Sequence, residues 1–311
     1  MTDTIIGIDI SKDHLDACRL PGNESQQFDN TKAGHKALIR WISEVPVRVV
    51  YKPTGPYHRQ LEVALASAGV PIVKVNPRQA RRFAEATGKL AKTDRLDAAM
   101  LARMGALLIL EPRPVRSATL NDLKDLHVAR EALIKDRTAA KNRSKMRSLS
   151  LLKRQSKARL EQVEGQLSAI DQAIAEIIAS DPVLSRRFTI LKSIPGIAAV
   201  SAAMLVTEMP ELGGLDSKQA ASLAGLAPIA RQSGKWKGKA FVQGERKHVR
   251  QALYMPALVA MRFNPNLKTK YNQLVAAGKA PKQAITALMR KLIVLANALL
   301  KANRNWTEKL A

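Results

Sequence analysis

The sequence predicts an α/β domain at the N-terminal end, followed by a longer and mainly helical remainder. Three observations carry this prediction. Short β-branched runs alternate with amphipathic stretches from Thr4 to about Leu110. From Ser117 to Ala179 there is no proline, and apolar residues recur every three or four positions. Beyond Pro182, helical periodicity is broken by glycine- and proline-containing turns rather than by strands.

Each element can be justified in order. Thr4-Ile5-Ile6-Gly7-Ile8-Asp9-Ile10-Ser11 is a buried strand, and an acid in so apolar a run needs a chemical reason. Lys12-Asp13 turn the chain, and His14 to Leu20 alternates as a second strand. The single cysteine, Cys18, sits there as a small buried residue and has no disulfide partner. Pro21-Gly22-Asn23 is a tight turn before a weaker strand at Gln26–Asn30. A helix follows over about residues 32–43, with Leu38, Ile39 and Ile42 on one face. Val47–Tyr51 is a fourth strand, broken by Pro53-Thr54-Gly55-Pro56; Tyr57–Ala68 is a helix; Pro71–Val75 is a fifth strand. Pro77 starts an arginine-rich helix with Arg78, Arg81 and Arg82, and residues 94–107 form a last helix. Three strands, helix, strand, helix, strand, helix is the order of a ribonuclease-H-like sheet.

The last helix begins Lys92-Thr93-Asp94-Arg95-Leu96-Asp97. Thr93 can cap it, and acids follow at the positive end of the helix dipole. Asp94 and Asp97, three apart, share a face. Either this is a solvated helix start with Asp97 paired to Arg95 or Lys92, or the two acids join Asp9 to hold a cation. Hard oxygen ligands of this kind suit Mg²⁺ or Mn²⁺. In such a fold the ion would polarise a phosphate and stabilise attacking and leaving oxygens.

Pro112 and Pro114 close this domain, setting its span at 1–114. Residues 115–181 read as two long helices of coiled-coil type, and 182–311 as a mostly α C-terminal domain. Between Arg130 and Arg159 eleven basic residues face two acids, Glu131 and Asp136. Arg137, Lys141, Arg143, Lys145, Arg147, Lys153 and Arg154 are the candidate phosphate contacts there; a solvated helix face is the plainer alternative. Ile194-Pro195-Gly196-Ile197 before an alanine-rich helix has the form of a helix-hairpin-helix, or of an ordinary packing turn. Leu226 to Lys239 reads as a loop, in which Ser233 precedes a glycine amid Arg231, Lys235, Trp236, Lys237 and Lys239. It is a flexible basic loop, or it presents a serine nucleophile for a phosphodiester, with a metal or basic group aiding deprotonation. Ile285, Leu288, Leu292, Leu295 and Leu299 make the final helix core or an oligomer seam.

The 51 basic and 26 acidic residues give a net charge of +25, so a polyanion is the expected partner. No signal peptide, lipidation motif or spanning apolar run is apparent, and a cytoplasmic location without membrane attachment is expected. With aromatics at 4%, rows of stacked single-stranded bases are not favoured.

Gly7-Ile8-Asp9-Ile10-Ser11-Lys12, Pro53-Thr54-Gly55, Lys92 to Ala98, Ile194-Pro195-Gly196-Ile197 and Leu223 to Pro228 with Gln232-Ser233-Gly234 together resemble the DEDD transposases of bacterial insertion sequences, relatives of the Piv DNA invertases. The resemblance covers nearly the whole chain. It implies a RuvC-like N-terminal domain, a coiled-coil segment and a C-terminal transposase domain. It also implies metal at Asp9, Asp94 and Asp97, and a covalent phosphoserine link at Ser233, the serine reaching a RuvC-like site of another subunit. Similar family members act on donor and target double-stranded DNA under a structured bridge RNA, as dimers joining into tetramers, in the bacterial nucleoid. One position departs from the pattern: the family has glutamate before Pro-Thr-Gly, and this chain has Lys52. That leaves an RNA- or DNA-binding protein of impaired catalysis, or a junction nuclease needing only the acids, as alternatives to an RNA-guided recombinase.

Overall fold

The computed structural model describes residues 4–42, 47–53, 55–88, 93–112, 115–244 and 246–307. The chain divides into two compact units, Met1–Arg116 and Ser117–Ala311.

The first unit is built on a mixed five-stranded sheet of order β3-β2-β1-β4-β5. Its strands are β1 (Thr4–Ile10), β2 (His14–Leu20), β3 (Glu24–Asp29), β4 (Val47–Tyr51) and β5 (Ile72–Lys74). β1 pairs antiparallel with β2 and parallel with β4, and β4 continues parallel to β5. This is the ribonuclease-H-like order, and the central strand β1 is buried along its whole length. A fully buried strand shows no polar alternation, which is why β1 reads as a continuous apolar run.

The strand period of two sorts the side chains of β1. Ile6, Ile8 and Ile10 join the core formed with α1 (Lys32–Ile42) and α2 (Arg59–Ser67), which contribute Leu38, Ile42, Leu61 and Leu65. Ile5 faces the other core, shared with α3 (Pro77–Ala86) and α4 (Asp94–Leu107) through Ala80, Ala84, Leu101 and Met104. Gly7 lies on that second face, and a Cβ there would come within 2.1 Å of the Ala98 carbonyl and 2.3 Å of the Ala102 amide. Gly105 does the same in reverse, with Val50 and Ile5 methyls at 2.6 and 2.8 Å from an added Cβ. Glycine on both elements, with alanines between, lets α4 lie directly on the sheet.

The second unit is helical. α5 (Ala118–Ser144) and α6 (Ser150–Ser180) form the expected long helices. They pack on each other as a hairpin within the chain, tied by Arg130 Nε to Asp171 Oδ1 at 2.6 Å. Around their base sit α7 (Pro182–Lys192), α8 (Ala199–Glu208), α9 (Ser217–Leu223), α10 (Lys247–Phe263), α11 (Pro265–Ala276) and α12 (Pro281–Lys301). α12 is long and apolar enough to span a bilayer, but its Leu288, Leu292, Ile293 and Ala296 are fully buried in this core. At the α7–α8 turn Gly196 has φ +100°, and an added Cβ would meet the Pro256 carbonyl at 2.6 Å. What Gly196 visibly provides is close packing against α10.

The stretch expected to be a loop at Leu226–Lys239 is instead a β-ribbon. β6 (Pro228–Ile229) pairs with β9 (Phe241–Val242), and β7 (Gln232–Ser233) pairs with β8 (Trp236–Lys237). Strands of two residues are too short for any periodicity to reveal them.

Candidate functional site: an acidic centre closed by Lys52

Asp9 follows Gly7 by two residues, so it too faces α4. Because Gly7 lets α4 approach, the first turn of that helix stands over the end of β1. Thr93 caps the helix by accepting a hydrogen bond from the Leu96 amide, which fixes where Asp94 and Asp97 emerge. Residue Ile8 is in register with Tyr51, so Lys52, the next residue along, is carried past the end of β4 beside Asp9.

The Lys52 ammonium lies 3.2 Å from Asp9 Oδ1 and closer still to Asp97 Oδ2, to which it donates a hydrogen bond. Of the two partners expected for Asp97, Arg95 makes no ion pair with it among the described residues, and Lys92 lies outside them. Asp9 is 7% exposed and its Oδ1 has no partner in hydrogen-bond geometry, so the ammonium compensates it by charge rather than by a well-aligned bond. Burial pushes the Asp9 carboxyl up, Lys52 opposes that shift, and the neighbouring Asp97 and Asp94 add to it. For Lys52, burial works against the charge, but the bond to Asp97 and the field of both aspartates outweigh it, and its pKa is raised. The lysine is therefore held as a cation. Asp94 contributes to the field at Asp9 from an exposed position at the helix start.

A DEDD-type centre implies a divalent metal. The residues of this chain do not fit one as they stand. An ammonium occupies the space between Asp9 and Asp97, and among the described residues no group of three or more His, Cys, Asp or Glu could hold an ion. Two unit charges of like sign 4 Å apart repel by about 4 kcal/mol at an effective dielectric of 20, and a divalent ion doubles this.

Sequence reasoning missed the cluster on the opposite face of β4. Tyr51 donates to Glu62, which is 6% exposed and also receives Lys74 Nζ at 2.7 Å. His58 Nε2 is 2.9 Å from the same ammonium, and burial lowers its pKa. A glutamate inside α2 reads in sequence as a solvated helix residue. Only the register that turns Tyr51 inward shows that it anchors the strand carrying Lys52. Also missed was a cavity of about 740 Å³ between α3 and α4, walled in part by Lys52, Arg81, Arg95, Asp97 and Arg103.

Ser233 belongs to the second unit. It is exposed on β7, opposite Trp236, at the mouth of a turn whose Gly234 has φ +55°. Trp236 is 61% exposed and its ring covers Gly238, where an added Cβ would meet it at 2.3 Å. Lys235, Lys237 and Lys239 surround the ribbon, and Arg231 stacks over Phe241 at 5.6 Å. Of the candidate cations on the hairpin, Arg137 and Lys141 share Glu164, and Arg147 is tied to Ser156. Arg143, Lys145, Lys153 and Arg154 make no ion pair among the described residues.

A mixed 3-2-1-4-5 sheet with an acid on its first strand and Asp-x-x-Asp opening its last helix is a ribonuclease-H-like core with its acids brought to one end of the sheet. A profile of DEDD transposases of the IS110 kind matches residues 6–153, and one described as transposase IS116/IS110/IS902 family matches residues 188–272. The chain belongs to this IS110-type transposase family. It is 30% identical to the pilin gene-inverting protein of Moraxella bovis, over 100% of this chain and 99% of that protein. The Moraxella lacunata protein of the same name is equally similar. An uncharacterized 42 kDa protein of insertion element IS900 from Mycobacterium paratuberculosis is 29% identical over 44% of this chain and 36% of its own length. Among solved structures, a Thermus thermophilus RuvC in complex with a Holliday junction substrate aligns with 36% of this chain and 99% of its own, at 15% identity and a TM-score of 0.27.

Proposed function

We propose that this chain is a DNA recombinase of an insertion sequence that exchanges strands through Ser233. The Ser233 oxygen attacks a phosphodiester phosphorus, an O–P ester forms, and the bond to the leaving deoxyribose oxygen breaks. The serine proton passes to a basic side chain or to solvent, and the leaving oxygen takes one up. The observation that carries this reading is the presentation of Ser233: exposed, beside a left-handed glycine, on a short ribbon rich in lysine. Full-length similarity to proteins named for inverting a pilin gene supports DNA inversion or transposition as the outcome. Donor and target duplex DNA are the proposed substrates. A structured guide RNA on the basic α5–α6 hairpin and a dimer-to-tetramer assembly complete the proposal. Asp9, Asp94 and Asp97 are the proposed Mg²⁺ or Mn²⁺ ligands of the centre once position 52 carries a carboxylate.

Lys52 favours a second reading, in which this chain binds nucleic acid but exchanges strands poorly. Strand exchange on supercoiled DNA, with RNA co-purified from cells, separates the two. Recombination predicts a covalent protein–DNA adduct that Ser233→Ala abolishes while nucleic-acid binding survives, and exchange that rises in Lys52→Glu. An adduct that persists in Ser233→Ala refutes the nucleophile. Equal exchange by Lys52→Glu and the unaltered chain refutes the inhibitory role of Lys52.

A further inference from the structure

Three carboxylates and one ammonium, at positions 9, 94, 97 and 52, carry a net charge of minus two. A carboxylate at position 52 would make this minus four, and one divalent ion would return it to minus two. Lys52 therefore sets, by itself and without any ion, the field that a phosphate meets at this end of the sheet. It does so as a fixed charge, because Asp97 and Asp9 both hold it.

The cavity beside it extends this arrangement. Arg95 and Arg103 project from α4 into its wall, and neither has an ion-pair partner among the described residues. Arg81 joins them from α3 and shares its charge with Glu85 at 3.0 Å. Ala80, Phe83, Ala84 and Met100 make an apolar floor. At about 740 Å³ the space takes a nucleotide-sized group. Unpaired arginines at the edge of a partly apolar cavity are the residues that bind a phosphodiester in bidentate fashion.

We propose that this cavity is a phosphodiester-binding cleft that works without a divalent ion, with Arg95 and Arg103 gripping one strand of DNA and Lys52 as the resident cation of Asp9 and Asp97. The inference takes from the proposed function only that DNA is the polyanion. It asks nothing of Ser233.

The test is an arginine footprint of the full-length protein. Modification by phenylglyoxal is read residue by residue by mass spectrometry, in EDTA, with and without a short DNA duplex whose binding is followed by anisotropy. Bound duplex should slow modification of Arg95 and Arg103 several-fold and leave Arg78 and Arg82, which stand on α3 with Arg81 but outside the cavity lining, unchanged. Mg²⁺ should add nothing. In Arg95→Gln/Arg103→Gln the log–log salt slope of duplex binding should fall by about 1.8, which is about 0.9 for each lost phosphate contact. In Lys52→Glu the protection should vanish in EDTA and return with Mg²⁺. Equal modification of Arg95 and Arg103 with duplex bound overturns the cleft. Protection that needs Mg²⁺ in the unaltered chain overturns its independence of metal. Protection by an RNA duplex but not by DNA overturns the choice of ligand. A Ser233 adduct alongside an unprotected cavity would leave the recombinase reading standing and this one refuted.

Discussion

Replacing Lys52 by glutamate should destabilise the first unit sharply and make its stability depend on divalent ions. The magnitude follows from the geometry. At 3.2 Å from Asp9, and at an effective dielectric of 20, the ion pair is worth about 5 kcal/mol before desolvation is subtracted. Both partners are largely buried, with side chains 17% and 9% exposed, so water screens the pair little. Removing one member of such a pair costs about 3–5 kcal/mol, because the other charge stays buried and uncompensated. Glutamate adds a third buried carboxylate to two already there, so the upper end of that range applies. For a unit of this size the loss corresponds to a fall in Tm of roughly 10–20 °C. Thermal unfolding followed by circular dichroism in EDTA measures it, with Lys52→Gln expected to fall in between. An ion bound at a hundred times its Kd would restore about 2.7 kcal/mol, so Mg²⁺ should raise the Tm of Lys52→Glu and leave the unaltered chain where it was. An unchanged Tm for Lys52→Glu in EDTA would refute the reasoning, and so would an equal Mg²⁺ response in both proteins.

Other consequences are as direct. Gly7→Ala places a methyl 2.1 Å from the Ala98 carbonyl, so α4 must lift; a loss of about 3 kcal/mol or more in the first unit, with the second unit's transition unmoved, is expected by calorimetry. Gly196→Ala should do the converse in the second unit, since its φ of +100° and the Pro256 carbonyl at 2.6 Å both oppose a side chain. His127 in the second unit has its pKa lowered from 6.5 by burial, as have His35 and His58 in the first. The unfolded chain therefore takes up protons that the native one refuses. Both units should hold constant stability above about pH 7 and lose it as pH falls below 6.5, by up to about 1.4 kcal/mol per pH unit for each histidine. Urea titrations against pH should show a flatter profile for the second unit in His127→Leu; an unaltered profile would count against the assignment.

The parts of this molecule that could be read from its residues are those in which local pattern and tertiary role coincide. β1 is unmistakable because both its faces are buried, and Asp9 is conspicuous for the same reason. The Asp-x-x-Asp turn with its threonine cap announces its own helix start. Lys52 was visible as a departure from the family pattern, but not where its charge goes. That depends on the register of Ile8 against Tyr51 and on a 45-residue separation from Asp97. Position alone could not say whether the lysine turned away or reached inward. The arginines of the cavity were equally opaque, since Arg95 and Arg103 look like solvated positions until α3 is laid beside α4. The ribbon around Ser233 escaped because paired segments of two residues leave no trace in a hydropathy pattern.

Gly7 and its alanine neighbours on α4 set the spacing of Asp9 and Asp97 through main-chain contact, independent of what position 52 holds. The frame that sets Asp9 beside Asp97 is thus main-chain packing, and an amine stands between the two carboxylates. Lysine and glutamate codons differ at the first base alone. A single point mutation can therefore replace the amine between Asp9 and Asp97 by a carboxylate, with no rebuilding of the scaffold.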